Sequence, residues 1–90
     1  MEVPPWDQDR QHLLNRWAVP SRYTPCRYPP GPIPVVARLR WSVDGEELHL
    51  GRATAWTVRL VLVEIVDRRL GINGVWLASE DVRRRVISGE

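Results

Sequence analysis

Lysine and phenylalanine are absent from the 90 residues, and cysteine and methionine occur once each. A lone cysteine, Cys26, excludes an internal disulfide, and no Cys/His group has metal-ligand spacing, since His12 and His49 lie far apart. No apolar run approaches the ~20 residues that span a bilayer. The start, Met-Glu-Val-Pro-Pro-Trp-Asp, lacks the basic opening and apolar core of a signal peptide. A cytoplasmic chain with no membrane partner is expected. Catalytic patterns are missing too. Ser21, Ser42, Ser79 and Ser88 have no nucleophile-elbow context, Cys26 has no histidine nearby, and there is no glycine-rich phosphate loop. The expectation is a non-enzyme without a metal or cofactor.

All thirteen basic residues are arginine, set against eleven acids, for a net charge of +2. A GC-rich genome accounts for arginine and against lysine or phenylalanine. The chemical alternative is recognition of phosphate or carboxylate by the planar guanidinium fork.

The most apolar stretch is Thr57 to Val66. Val58, Leu60 and Leu62 fall on one face of a strand, and Val61, Val63 and Ile65 on the other. This predicts a central strand with neighbours on both sides and cover on both faces. Glu64 within it is expected to pair with Arg38 or Arg40. Before it, Val35, Ala37, Leu39, Trp41 and Val43 alternate with Val36, Arg38, Arg40 and Ser42, a half-buried strand. Asp44-Gly45 predicts a two-residue hairpin turn, and the return strand Glu46 to Leu50 then turns Leu48 and Leu50 inward. Gly51 to Trp56 redirects the chain, Asp67 to Gly71 is a polar connection, and Ile72 to Ala78 is a fourth strand.

Two helices are predicted at the ends. One starts at Asp7 or Asp9, carries Leu13, Leu14 and Trp17, and stops before Pro20. The other starts at Ser79 as N-cap, with Glu80 and Asp81 in its first turn and Val82, Val86 and Ile87 inward. Residues 20–34 hold six of the eight prolines and are either an ordered strap or a semi-rigid linker. Residues 1–34 thus form an N-terminal helix and proline-rich strap, and 35–90 a small β-barrel-like domain with a C-terminal helix. The fold class is mainly β: a small antiparallel sheet or partly open SH3-like barrel.

Trp41, Gly51-Arg52-Ala53, Trp56, the valine-rich strand, Val75-Trp76-Leu77 and Asp81-Val82-Arg83-Arg84 resemble uncharacterised small SH3-like domains of actinobacteria and their phages. Some of these accompany translesion-polymerase proteins. The resemblance covers residues 35–86 and implies a role in nucleic-acid metabolism without supplying a site.

The candidate binding residues are Arg38 and Arg40 on the outward face of the first strand, Arg59, Trp56, Trp76, and the run Arg83, Arg84, Arg85. Arginine with tryptophan suits a protein-interaction surface. Basic residues interleaved with aromatics also suit single-stranded DNA or RNA. The small net charge favours another protein as partner, with nucleic acid as the alternative and a monomer or weak dimer as the oligomeric state. Convergence of the arginines on one face without interposed acids would reverse that order.

Overall fold

The alternation that begins near Val35 is realised as a long hairpin. In the computed structural model, which describes residues 11–70 and 74–85, β2 (Ile33–Trp41) pairs antiparallel with β3 (Gly45–Trp56). β1 (Arg16–Trp17), β4 (Leu60–Glu64), β5 (Gly74–Ala78) and β6 (Val82–Arg84) complete one antiparallel six-stranded sheet among the described residues. Its order is β1-β5-β4-β3-β2-β6, and it is not closed.

The hairpin register sets everything that follows. Trp41 lies opposite Gly45, so the loop is the three residues Ser42 to Asp44, and Gly45 adopts φ +77°. That left-handed position suits glycine and ends a three-residue loop rather than the predicted two-residue turn. An odd shift in register exchanges the two faces of the return strand. Glu47, His49, Gly51 and Ala53 therefore share the face of Leu39, Ala37, Val35 and Ile33. Leu48 and Leu50 point the other way and are exposed, contrary to the inward placement expected. Val43, in the loop, is exposed as well.

The inner face carries the core: Val35, Ala37, Leu39 and Trp41 from β2, Ala53 from β3, Val63 and Ile65, and Val75 and Leu77 from β5. Leu13, Ile33, Val61, Leu70 and Val82 pack against it. β4 does have neighbours on both sides, β3 and β5. It is shorter than predicted, however, and its second face is only half-covered, at Leu60 and Leu62. Val58 and Val66 lie in solvent. A bulge between Ala53 and Ala55 sets two residues of β3 against one step of β4 and turns Trp56 onto the side of Val61.

Neither predicted helix is present among the described residues. Residues 11–17 follow the sheet instead, with a bridge at Leu13, a turn at residues 14–15 and a two-residue strand at Arg16–Trp17. Leu14 N donates to Arg40 O (2.7 Å), Ser42 N donates to His12 O (2.8 Å), and Leu13 bridges to Trp41. Asn15 donates to Arg38 O and accepts from Arg40 N. The side-chain carbonyl of Gln11 accepts from the loop amides of Val43 and Asp44. Arg16–Trp17 then pairs with β5. A short isolated helix is marginal in water, and the part of β2 beyond its pairing with β6 offers this segment backbone partners at Arg38, Arg40 and, just past the strand, Ser42. Residues 7–10 of that predicted helix lie outside the described residues.

At the other end, Ser79–Asp81 is a single 3-10 turn, and Ser79 makes no capping bond. Val82 is extended (φ −128°, ψ 130°) and starts β6, which pairs with β2 from Val35 to Ala37. The competing interaction is at Asp81, whose carboxylate accepts from Arg38 and Asn15. Val86 and Ile87 lie outside the described residues, as do Ile72 and Asn73 of the fourth predicted strand.

The proline-rich segment is an ordered strap. Arg27 and Trp56 exchange two backbone hydrogen bonds (2.8 and 2.9 Å). Tyr23 and Tyr28 do not anchor it, for both are exposed.

Gly51 is needed for close packing rather than for a special turn. A Cβ there would meet Val63 Cγ1 at 2.8 Å and the carbonyl oxygen of Glu64 at 2.9 Å. The carbonyl belongs to the paired β4 backbone and has little room to yield. Gly51→Ala is expected to cost about 1–3 kcal/mol by overpacking. A chemical-denaturation midpoint equal to the parent's would contradict this.

Candidate interaction surface

The outer face of the sheet is built by β2 and β3 residues that alternate with the core. Val36 lies opposite Leu50, Arg38 opposite Leu48, and Arg40 opposite Glu46. Leu48 is 72% exposed and Leu50 61%. Across the sheet, Leu62 lies opposite Trp76, and Trp76 opposite Trp17. Trp17 is itself exposed. The face therefore leaves large apolar side chains in water beside its arginines.

Those arginines are paired with acids of the same surface. Arg38 donates to Asp81 through Nε (3.0 Å) and a terminal nitrogen (2.8 Å). These bonds, and then the charge of Asp81, hold the Arg38 guanidinium still more firmly protonated than usual. Arg40 lies 3.5 Å from Glu46. Arg52 is ion-paired with Glu64, so Glu64 takes neither Arg38 nor Arg40 as predicted. Exposed pairs of this kind contribute little stability, but they cancel the field that a polyanion would feel.

The predicted site residues do not converge. Arg38 and Arg83 flank Val36 and Leu48 near Glu80 and Asp81. Trp56 and Arg84 line one hollow on the inner side, with Ile33, Val35, Ala53, Val61 and Val82. Arg85 stands beside Pro34, Leu50 and the Arg52–Glu64 pair. Trp76 is half-buried between Leu62 and Trp17. Arg59 belongs to a separate groove.

That groove encloses about 580 Å³. One side is Trp17 with Pro20, Thr24 and Pro25 of the strap. The other is the β3–β4 turn, Thr57 to Leu60, with Ala78, Ser79 and Glu80. The turn is well supported. Thr57 N donates to Leu60 O (2.8 Å), and Thr57 Oγ1 accepts from the amides of Leu60 (3.0 Å) and Arg59 (3.3 Å). Ser79 N donates to Arg59 O (2.9 Å), tying the 3-10 turn to it. Val58, at 94% exposed, stands at the rim.

A second cluster was illegible in the sequence. Arg69 lies with its Cζ 4.1 Å from the centroid of the Trp41 ring. It donates to Asp67 (2.7 and 2.9 Å), Glu47 (2.7 and 3.1 Å) and Asp44 (2.9 Å). Its hydrogen bonds pull Asp67 down to about 2 and lower Glu47 as well. The charged groups pair with one another at one end of the core, while the buried Nε1 of Trp41 has no hydrogen-bond partner among the described residues. Among the described residues no His, Cys, Asp or Glu group is arranged to hold a metal ion, and no helix is long and apolar enough to cross a membrane.

Sequence periodicity does not mark Trp17, Leu48, Leu50 and Val58 as exposed, which they are. The Gly45 position supplied the one available signal for Leu48 and Leu50, since a left-handed glycine after a three-residue loop fixes the strand phase. Comparison of the chain with protein-family models, with curated proteins and with solved structures finds no match.

Proposed function

We propose that this chain is a non-enzymatic protein-interaction module of partly open, SH3-like form. The strand order β6-β2-β3-β4-β5, with a single 3-10 turn leading from β5 into β6, supports the SH3-like assignment. The observation that carries the functional reading is the state of the outer face. Its arginines Arg38, Arg40 and Arg52 already face Asp81, Glu46 and Glu64, whereas Leu48 and Leu50 have no cover. Such a face offers a partner apolar area with charged pairs at its margin, the usual composition of a protein interface. The resemblance to domains that accompany translesion polymerases points to an accessory role in DNA metabolism.

Nucleic-acid binding remains the second reading, favoured by Arg83, Arg84 and Arg85. They are exposed on the β6 edge and just beyond it, and they make no ion pair among the described residues.

The test is retention of proteins from an extract of the source cells on the immobilised chain. The expected result is a partner that survives high salt and is lost with Leu48→Glu/Leu50→Glu, a variant that melts like the parent. A partner released by moderate salt and indifferent to the variant would contradict the proposal.

A further inference from the structure

We infer that the Trp17–Arg59 groove takes an extended segment of a partner protein that carries an acidic residue, an apolar stretch and a basic residue. The inference rests on the reading of the chain as an interaction module and names the chemistry of what one of its surfaces binds.

The lining decides the apolar part. Trp17, Pro20, Pro25, Val58, Leu60 and Ala78 supply most of it. Trp17 is 56% exposed and Val58 94%, so both leave apolar area for an occupant to cover. The two prolines have no amide to donate, so that wall offers packing rather than a backbone ladder. The volume falls within the range that encloses a drug-sized ligand, which is room for a short run of peptide.

The charges decide the rest. Arg59 and Glu80 both line the groove, and neither lies within ion-pair distance of an opposite charge among the described residues, although Glu80 also adds to the negative field at Arg38. They are held near one another, because Ser79 N bonds the Arg59 carbonyl and Leu60 pairs with Ala78. A polyanion entering beside Arg59 meets the Glu80 carboxylate. A purely basic segment meets the Arg59 guanidinium. A segment with one charge of each sign satisfies both, and a complementary arrangement fixes its direction along the groove. The supported turn at Thr57 presents Arg59 from a preorganised backbone, which lowers the ordering cost of binding.

The experiment uses three fluorescein-labelled peptides with one shared Leu-Leu core: one flanked by Asp and Arg, one by two Asp, one by two Arg. Each is titrated against the full chain, and single-stranded DNA is titrated in parallel. The mixed-charge peptide is expected to bind tightest. In Arg59→Glu, on an exposed turn whose melting should not change, preference is expected to move to the two-Arg peptide by about tenfold. Trp17→Ala is expected to weaken all three. No peptide binding, or an identical ranking in the parent and Arg59→Glu, overturns the inference. If, alongside such failure, Leu48→Glu/Leu50→Glu still abolishes retention of a cellular partner, the interaction module stands without this groove. If only DNA binds, both fall.

Discussion

Arg69→Ala is expected to destabilise the fold by about 3 kcal/mol, the lower end of what breaking a buried ion pair costs. The low end applies because Glu47 and Asp44 keep contact with water, whereas the side chains of Arg69 and Asp67 are only 11% and 10% exposed. Removal leaves Asp67, Glu47 and Asp44 without their shared cation and uncovers the Trp41 ring. The same cluster fixes a pH dependence. Hydrogen bonding to Arg69 holds Asp67 at about 2, below its ordinary 3.8, so the folded chain binds fewer protons than the unfolded one in that window. The stability from this group is fully present above about pH 4 and is lost as pH falls towards about 2, roughly 2 kcal/mol in all. Glu47, also lowered, acts in the same direction. Denaturation midpoints measured from pH 6 to pH 2 should fall below about pH 4 in the parent and fall less in Arg69→Ala. Parallel curves would show that Arg69 does not hold these carboxylates.

The second large effect is expected at Leu39, which is wholly buried on β2 between Ala37 and Trp41 in the inner row. Leu39→Ala should cost about 2–5 kcal/mol through lost transfer energy and the cavity left behind. Leu62→Ala should cost about 1 kcal/mol, because Leu62 is half-covered on the outer face. The comparison is the informative part. Equal losses in urea denaturation would mean that the outer face is covered in solution and that the sheet has two cores rather than one.

The sequence was most readable where one face is buried and the period is two. Val35, Ala37, Leu39 and Trp41 are core as their alternation predicts, and β4 lies between two neighbours as its valines predict. It was misread where a single residue sets the phase. The Asp44-Gly45 pair looks like a two-residue turn, but Gly45 belongs to the strand, and that odd shift exposes Leu48 and Leu50. The helical spacing of Leu13, Leu14 and Trp17 was real yet lost to tertiary pairing, since the edge of β2 engages His12, Leu13 and Leu14. Ser79, Glu80 and Asp81 carried good capping chemistry, but Asp81 serves Arg38 instead. The pairing of arginines with acids is a matter of cross-strand register, which composition does not reveal. For the same reason the Arg69 cluster, which joins residues from two strands and two connections, left no local signal.

On the outer face Arg38, Arg40 and Arg52 are occupied by neighbouring acids, whereas Arg83 makes no ion pair among the described residues; the proposal that this surface meets proteins rather than polyanions rests on that balance. Its most direct test is a titration of labelled single-stranded DNA and RNA at two salt concentrations. The parent is compared with Arg38→Glu/Arg40→Glu and with Arg83→Glu/Arg84→Glu/Arg85→Glu. Weak binding with a shallow salt dependence, little changed by Arg38→Glu/Arg40→Glu, is expected. Tight binding that falls steeply and log-linearly with salt, and is abolished by these substitutions, would contradict the proposal and make the chain a nucleic-acid-binding module.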